Sequence, residues 1–266
     1  MIRRDEIDAD GTRRWLLIDQ ITHARLAAQL ALQWHFETSW PPEVRDQFVA
    51  AVDHHDDGWA EWDSHPGVDS QGRPLNFTEM PTSLSTAIWR RSIAAGAAIG
   101  PLAVYVIAWH FRSLLLRFDG WRNADATARQ AGEDFLAFSE AEMTAAAAEW
   151  LSGETERTPE LAALSLQALQ AFDALSLWFC CAARTAADEF IIPPGPPIAF
   201  IPRDLHSVTV SPWPFFLDEL TLEVRGGSVP AVATAGADIA RPEKWRPERF
   251  WWRLTPGQST PQSQIV

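Results

Sequence analysis

The chain has 266 residues with 22 basic against 35 acidic side chains, and its formal net charge of −13 argues against broad affinity for nucleic acid or an anionic membrane, which depend on dense positive charge. With 47% hydrophobic and 21% charged residues, the composition is that of an ordinary soluble globular protein able to bury a substantial core. Two neighbouring cysteines, Cys180 and Cys181, make a poor disulfide framework, and the N-terminus lacks the apolar core of a signal peptide, so the expected location is cytoplasmic.

Ile2 to Arg4 and Arg14 to Ile18 flank the turn signal Asp10-Gly11 and predict a small hairpin. From Asp19 the period becomes helical: Leu26, Ala27, Leu30 and Trp34 share one face, and His23 lies on it. Pro41-Pro42 opens a second helix that runs into Asp53-His54-His55-Asp56-Asp57-Gly58, where Gly58 fits the left-handed position that stops a helix. The stretch from Trp59 to Pro81 has no period and is longer than a simple connection needs, which suggests a wall or lid. Helices are then expected over Thr82 to Ala98, Pro101 to Leu116, Asp125 to Trp150 and Pro159 to about Ala187, with His110 and Asp173 on the apolar stripes of the second and the last. The most apolar window, Ala94 to Trp109, is broken by Gly96, Gly100 and Pro101 and is too short for a membrane span.

Pro193-Pro194-Gly195-Pro196-Pro197 ends the helical region. Short strands are expected over Ile198 to Ile201, Ser207 to Val210, Glu219 to Arg225, Val229 to Ala233 and Phe250 to Leu254, with Gly226-Gly227 as a hairpin corner. The implied organisation is a hairpin (1–18) that pairs with a C-terminal β subdomain (191–254), a helical domain (19–190) between them, and a loose tail (255–266).

A run of His and Asp before a Gly offers imidazole nitrogen and carboxylate oxygen together, a donor set that suits Zn, Mn, Fe or Ni. Elsewhere, an ionised Asp173 on an apolar face costs several kcal/mol unless it is paired, metal-bound or neutral. His23, His110 and Asp173 stand on three separate helices, and one cation inside the helical body would satisfy all of them together with His55 and Asp56.

The order of these residues resembles the HD superfamily of metal-dependent hydrolases: an early His in Gln20-Ile21-Thr22-His23-Ala24, His55-Asp56-Asp57-Gly58 after an apolar run, and a late Asp in Phe172-Asp173-Ala174-Leu175-Ser176. The Lys that frequently follows the Gly is replaced by Trp59. More closely, the chain is similar to an uncharacterised bacterial family of unknown function. The marks of that family are Gln-x-x-His-Ala, His-Asp-x-Gly-Trp with Trp62-Asp63 just after, Gly72-Arg73-Pro74, a mid-chain His110, and Pro212-Trp213-Pro214-Phe215. The resemblance to the HD pattern implies an HD-like helical bundle, and with the strands expected at the two chain ends the expected fold is mainly α with a small antiparallel sheet formed by the N-terminal hairpin and the C-terminal region.

On this reading His23, His55, Asp56 and Asp173 bind one divalent transition metal ion (Mn, Fe, Zn or Ni) and leave positions open for water or substrate. Asp57, Glu61 and His110 are the catalytic candidates, with Asp63 a further carboxylate near the motif. His54, Trp59 and Arg90 are candidate substrate contacts. Arg25, Arg91 and Arg112 could meet an anionic group, and Trp62 and Trp89 an aromatic one. The expected activity is hydrolysis of a small phosphoester. The alternatives are a non-haem iron oxygenase and a non-catalytic, metal-stabilised binding protein. A small-molecule substrate is the expected partner, a homo-oligomer is allowed, and neither nucleic acid nor membrane is expected.

Overall fold

The computed structural model describes residues 1–36, 40–153, 157–182, 185–232 and 236–257. Strands β1 (Ile2–Ile7) and β2 (Arg13–Ile18) form the expected hairpin, and Gly11 takes the left-handed conformation (φ 85°) its turn requires. Helix α1 (Gln20–Gln33) starts where Asp19 accepts from the Thr22 amide at 2.5 Å, and α2 (Pro42–His54) carries its proline in the first turn, where no amide is needed. A 3₁₀ turn (Asp57–Trp59) and α3 (Ala60–Ser64) lead into the long connection, which holds a second 3₁₀ turn at Phe77–Glu79. Helices α4 (Thr82–Gly96), α5 (Pro101–Arg117), α6 (Ala126–Leu151) and α7 (Pro159–Cys181) follow, the last two capped by Asp125 and Thr158.

Strands β3 (Asp188–Ile191), β4 (Pro197–Pro202), β5 (Ser207–Ser211), β6 (Leu220–Pro230) and β7 (Arg246–Pro256) complete the fold, with the short α8 (Gly236–Ile239) between the last two. All seven strands form one sheet in the order β1-β2-β6-β7-β5-β4-β3, antiparallel except for β5 against β7. One hydrophobic core runs through helices and sheet, from Phe48, Phe111 and Phe172 to Phe200, Leu222 and Leu254. Helix α7 is long and apolar enough to cross a membrane by length and composition, and Leu166, Leu169, Phe172 and Phe179 of that helix are buried in this core.

The expectation of an HD-like helical bundle with a small antiparallel sheet is overturned: the sheet is seven-stranded, mixed and curled into a half-barrel. Three local causes explain the difference. Gly226 and Gly227 do not turn the chain but lie inside the eleven-residue β6, because a Cβ would stand 2.4 Å from the Leu17 carbonyl oxygen or 2.6 Å from Trp245. The two strands expected on either side of them are therefore one that ends at Pro230, and Ala233, the expected end of the second, lies outside the described residues. Helix α7 stops at Cys181, six residues short of the expected end, and β3 begins at Asp188. In the expected tail, Thr255 and Pro256 belong to β7, and 258–266 lie outside the described residues.

Gly58 is also corrected, since its φ is not positive. A Cβ there would lie 2.2 Å from the Ile88 carbonyl oxygen and 2.6 Å from the Ser92 amide nitrogen, so glycine is what lets the turn after α2 press against α4. The Gly58 amide donates to Ser92 Oγ at 3.0 Å and locks that approach. The Pro-Trp-Pro-Phe stretch closes the C-terminal end of α1: the Phe216 amide takes the Gln33 carbonyl, the His35 amide reaches Pro214, and Phe215 packs edge-on to Trp34.

Candidate metal centre

Helix α2 ends at His54, so the Val52 carbonyl is left without an intrahelical donor, and His55 Nδ1 supplies one at 2.7 Å. A carbonyl only accepts, so Nδ1 carries the proton and the neutral ring presents a lone pair on Nε2. That atom is buried, has no hydrogen-bond partner, and faces Asp173 Oδ1 at 3.5 Å and Asp56 Oδ2 at 3.6 Å.

His23 is fixed in the same sense from α1. Its Nδ1 lies 2.7 Å from Ser176 Oγ on α7, and that hydroxyl donates to the Asp173 carbonyl at 2.9 Å, so Oγ accepts from Nδ1–H. In that tautomer the Nε2 lone pair of His23 faces Asp56 Oδ2 at 3.1 Å, a contact that is a hydrogen bond when Nε2 carries the proton instead, and Asp173 Oδ1 at 3.3 Å. Two lone pairs and two carboxylates repel one another unless a positive charge stands between them. A proton on His55 is one answer: burial disfavours the charge, but Asp56 and Asp173 outweigh it and hold the imidazole pKa up at about 9. Burial likewise opposes ionisation of both carboxylates, yet the surrounding imidazoles hold Asp56 below its ordinary value and Asp173 well below. One proton balances one carboxylate; a divalent ion balances both.

The spacing suits an ion. Ligand bonds of about 2.0–2.2 Å give donor-to-donor edges of roughly 3.0 Å in an octahedron and 3.4 Å in a tetrahedron, and the four contacts above span 3.1–3.6 Å. Donor atoms of His23, His55 and Asp173 all lie within 4.8 Å of one another, and Asp56 shares Oδ2 between the two histidines. His110 stands at the edge of this group, with Nε2 3.9 Å from Asp173 Oδ2 and Nδ1 buried without a partner. Burial holds its pKa down to about 4, so it meets the site as a neutral imidazole.

His23, Asp56, His110 and Asp173 line a cavity of about 290 Å³ between α5 and α7, with Trp59 and Trp89 among its walls. The 3₁₀ turn at Phe77–Glu79 closes one side with Phe77 and Thr78. It is held from β1, where Arg3 bonds the Glu79 carboxylate at 2.8 and 3.1 Å.

The remaining candidates lie elsewhere. Asp57 is occupied by His54 Nδ1 at 2.8 Å on the protein surface, because both belong to the outward side of the helix end whose inner side carries His55 and Asp56. Glu61 is exposed, 3.8 Å from Arg91. Arg90 donates to the Asp134 carbonyl and lies over the Phe138 ring, on the α6 side of α4. Asp63 is buried against the Met1 amine and accepts from the Gln20 amide, holding the start of α1. Arg112 meets Glu140 on α6. Sequence reasoning passed over Ser176, Arg117, Gln170 and the side chain of Gln20. The positions of Ser176, three after Asp173, and Arg117, seven after His110, carried a signal, since such offsets share a helix face.

No curated protein and no solved structure matches the chain. The family model described as "Protein of unknown function (DUF3891)" matches residues 1–231, and the chain belongs to that family.

Proposed function

We propose that the protein is a metal-dependent hydrolase of a small phosphoester, with His23, His55, Asp56 and Asp173 as the ligands of one divalent transition metal ion. The observation that carries this reading is the orphaned Nε2 of His55, turned toward the buried Asp56 and the partly buried Asp173 carboxylates beside an open cavity. A purely structural site would be closed on all sides. The ion supplies Lewis acidity, lowering the pKa of water and stabilising negative charge on a phosphoryl oxygen.

The chain's own residues do the rest. Val52 and Ser176 fix both histidines with Nε2 toward the carboxylates, so a cation taken up there displaces the proton that Asp56 and Asp173 hold on His55 without any turn of either ring. His110, neutral and on the cavity wall, accepts a hydrogen bond from water or substrate and so orients it. Trp59, Trp89 and Phe111 exclude bulk water from the reacting end.

The test is elemental analysis of the purified protein followed by a phosphoester panel, on wild type and on Asp56→Ala. A bound ion near one per chain and metal-dependent turnover, both reduced in the variant, support the proposal. A chain that takes up no Mn, Fe, Zn or Ni at micromolar concentration ends it.

One observation favours a second reading. His23, His55 and Asp173 make a two-histidine, one-carboxylate set, which also suits a non-haem iron oxygenase. Oxygen uptake by the iron-loaded protein separates the two.

A further inference from the structure

The cavity is mostly apolar, and its two polar ends differ. At one end stand Asp56 and Asp173; among the described residues, the one Lys or Arg in its lining is Arg117. Arg117 ends α5 seven residues after His110, so the two share a helix face and are separated by about 10 Å along the axis at 1.5 Å per residue. Ser113 and Leu114, at the intermediate turn, line the cavity between them. In a chain of net charge −13, Arg117 forms no ion pair among the described residues, whereas Arg3, Arg91 and Arg112 do. A divalent ion cancels the charge of Asp56 and Asp173, which leaves Arg117 to set the sign of the lining.

A second observation points to a ligand. Gln20 is 2% exposed, lines the cavity one turn before His23, and its Oε1 is buried without a hydrogen-bond partner. Leaving such a group unpaired is costly, and a bound molecule with a polar group at this end removes that cost.

We infer that the substrate is an elongated amphiphilic anion: a reacting group at the metal end beside Gln20, an aromatic or otherwise apolar body between Trp59, Trp89 and Phe111, and a second anionic group, such as a carboxylate, at Arg117. The inference rests on the metal centre being the reacting end. It makes Arg117 a specificity-determining residue, because its planar donors bind a carboxylate bidentately at the mouth of an apolar slot.

The test uses two inert probes, biphenyl-4-ylphosphonate and its 4′-carboxylate, whose two anionic groups stand at about the separation given by the helix arithmetic. Binding to the zinc-loaded full chain is followed by calorimetry for wild type, Arg117→Gln and Arg117→Lys. Wild type is expected to bind the carboxylated probe at least about tenfold more tightly than the plain one. Arg117→Gln erases that difference with zinc content and plain-probe affinity unchanged, and Arg117→Lys restores part of it. Equal affinities in wild type, a preference that survives in Arg117→Gln, or no binding of either probe overturns the inference. Whether the plain probe requires zinc reports on the metal reading separately, so the two can fail independently.

Discussion

Ser176 Oγ lies 2.7 Å from His23 Nδ1 while its own proton goes to the Asp173 carbonyl, so one hydroxyl on α7 orients a histidine on α1 and ties it to the helix that carries Asp173. Ser176→Ala removes the acceptor without touching any candidate ligand. Because partners of this kind fix the orientation and basicity of a ligand, the variant is expected to lose roughly 10–100-fold in zinc affinity. Competition with a chromophoric chelator measures this, and a thermal melt of the zinc-free protein checks that the fold is kept. Wild-type affinity in Ser176→Ala would remove Ser176 from the site.

Two carboxylates, the buried Asp56 and the partly buried Asp173, stand 3.1–3.6 Å from two imidazole Nε2 atoms, and a cation between them relieves the repulsion of the like charges. An ion present at about a hundred times its dissociation constant adds about 2.7 kcal/mol to the stability of the folded state. For a chain of this size that corresponds to a rise in Tm of roughly 5–10 °C. Differential scanning calorimetry with and without zinc should find the rise in wild type and not in Asp173→Asn or His55→Ala. Magnesium prefers an all-oxygen shell and should give much less.

Much of the site was legible because each of its residues broke a local pattern. His23, His110 and Asp173 interrupt apolar helix faces; both histidines are buried, Asp173 is partly buried, and with His55 and Asp56 they lie around one point. Asp57, Glu61 and His54 were not separable from them in the sequence, since adjacent residues at a helix end differ by about 100° in direction and only the packing of Gly58 on α4 decides which face turns inward. The sheet was under-read for a related reason. A Gly-Gly pair signals a turn in isolation, whereas here it admits the Leu17 backbone and Trp245 against a continuous strand. The parallel pairing of β5 with β7 depends on long-range register, which no local pattern records.

Gly58 supplies a direct test of how the site is held. A methyl group at this position meets the Ile88 carbonyl oxygen and the Ser92 amide, both in the backbone of α4, so neither can swing aside. Gly58→Ala is expected to cost about 1–3 kcal/mol in stability and to displace Asp56 and Trp59 on either side. The signature is a joint loss, a lower urea midpoint together with weaker zinc binding. Gly120→Ala, at a glycine where an added methyl group would point into open space, serves as the control and should change neither.

The cavity wall at Phe77 and Thr78 depends on the bidentate pairing of Arg3 with Glu79, and this pairing is sensitive to acid. The Arg3 bonds hold the Glu79 carboxyl below its ordinary pKa of 4.5, with burial acting the other way. A group whose pKa is lower folded than unfolded adds stability above the unfolded value, and the contribution disappears as pH falls through the folded one. The carboxyl is partly exposed, so solvent screening keeps the effect small. Wild type should therefore lose Tm on acidification below about pH 4.5 more steeply than Glu79→Gln, which starts lower and has no charge to lose. Above that pH the two curves should run parallel, with ligand binding weaker in the variant because the wall is less firmly held. Identical acid slopes for the two proteins would show that Arg3 and Glu79 do not carry the wall.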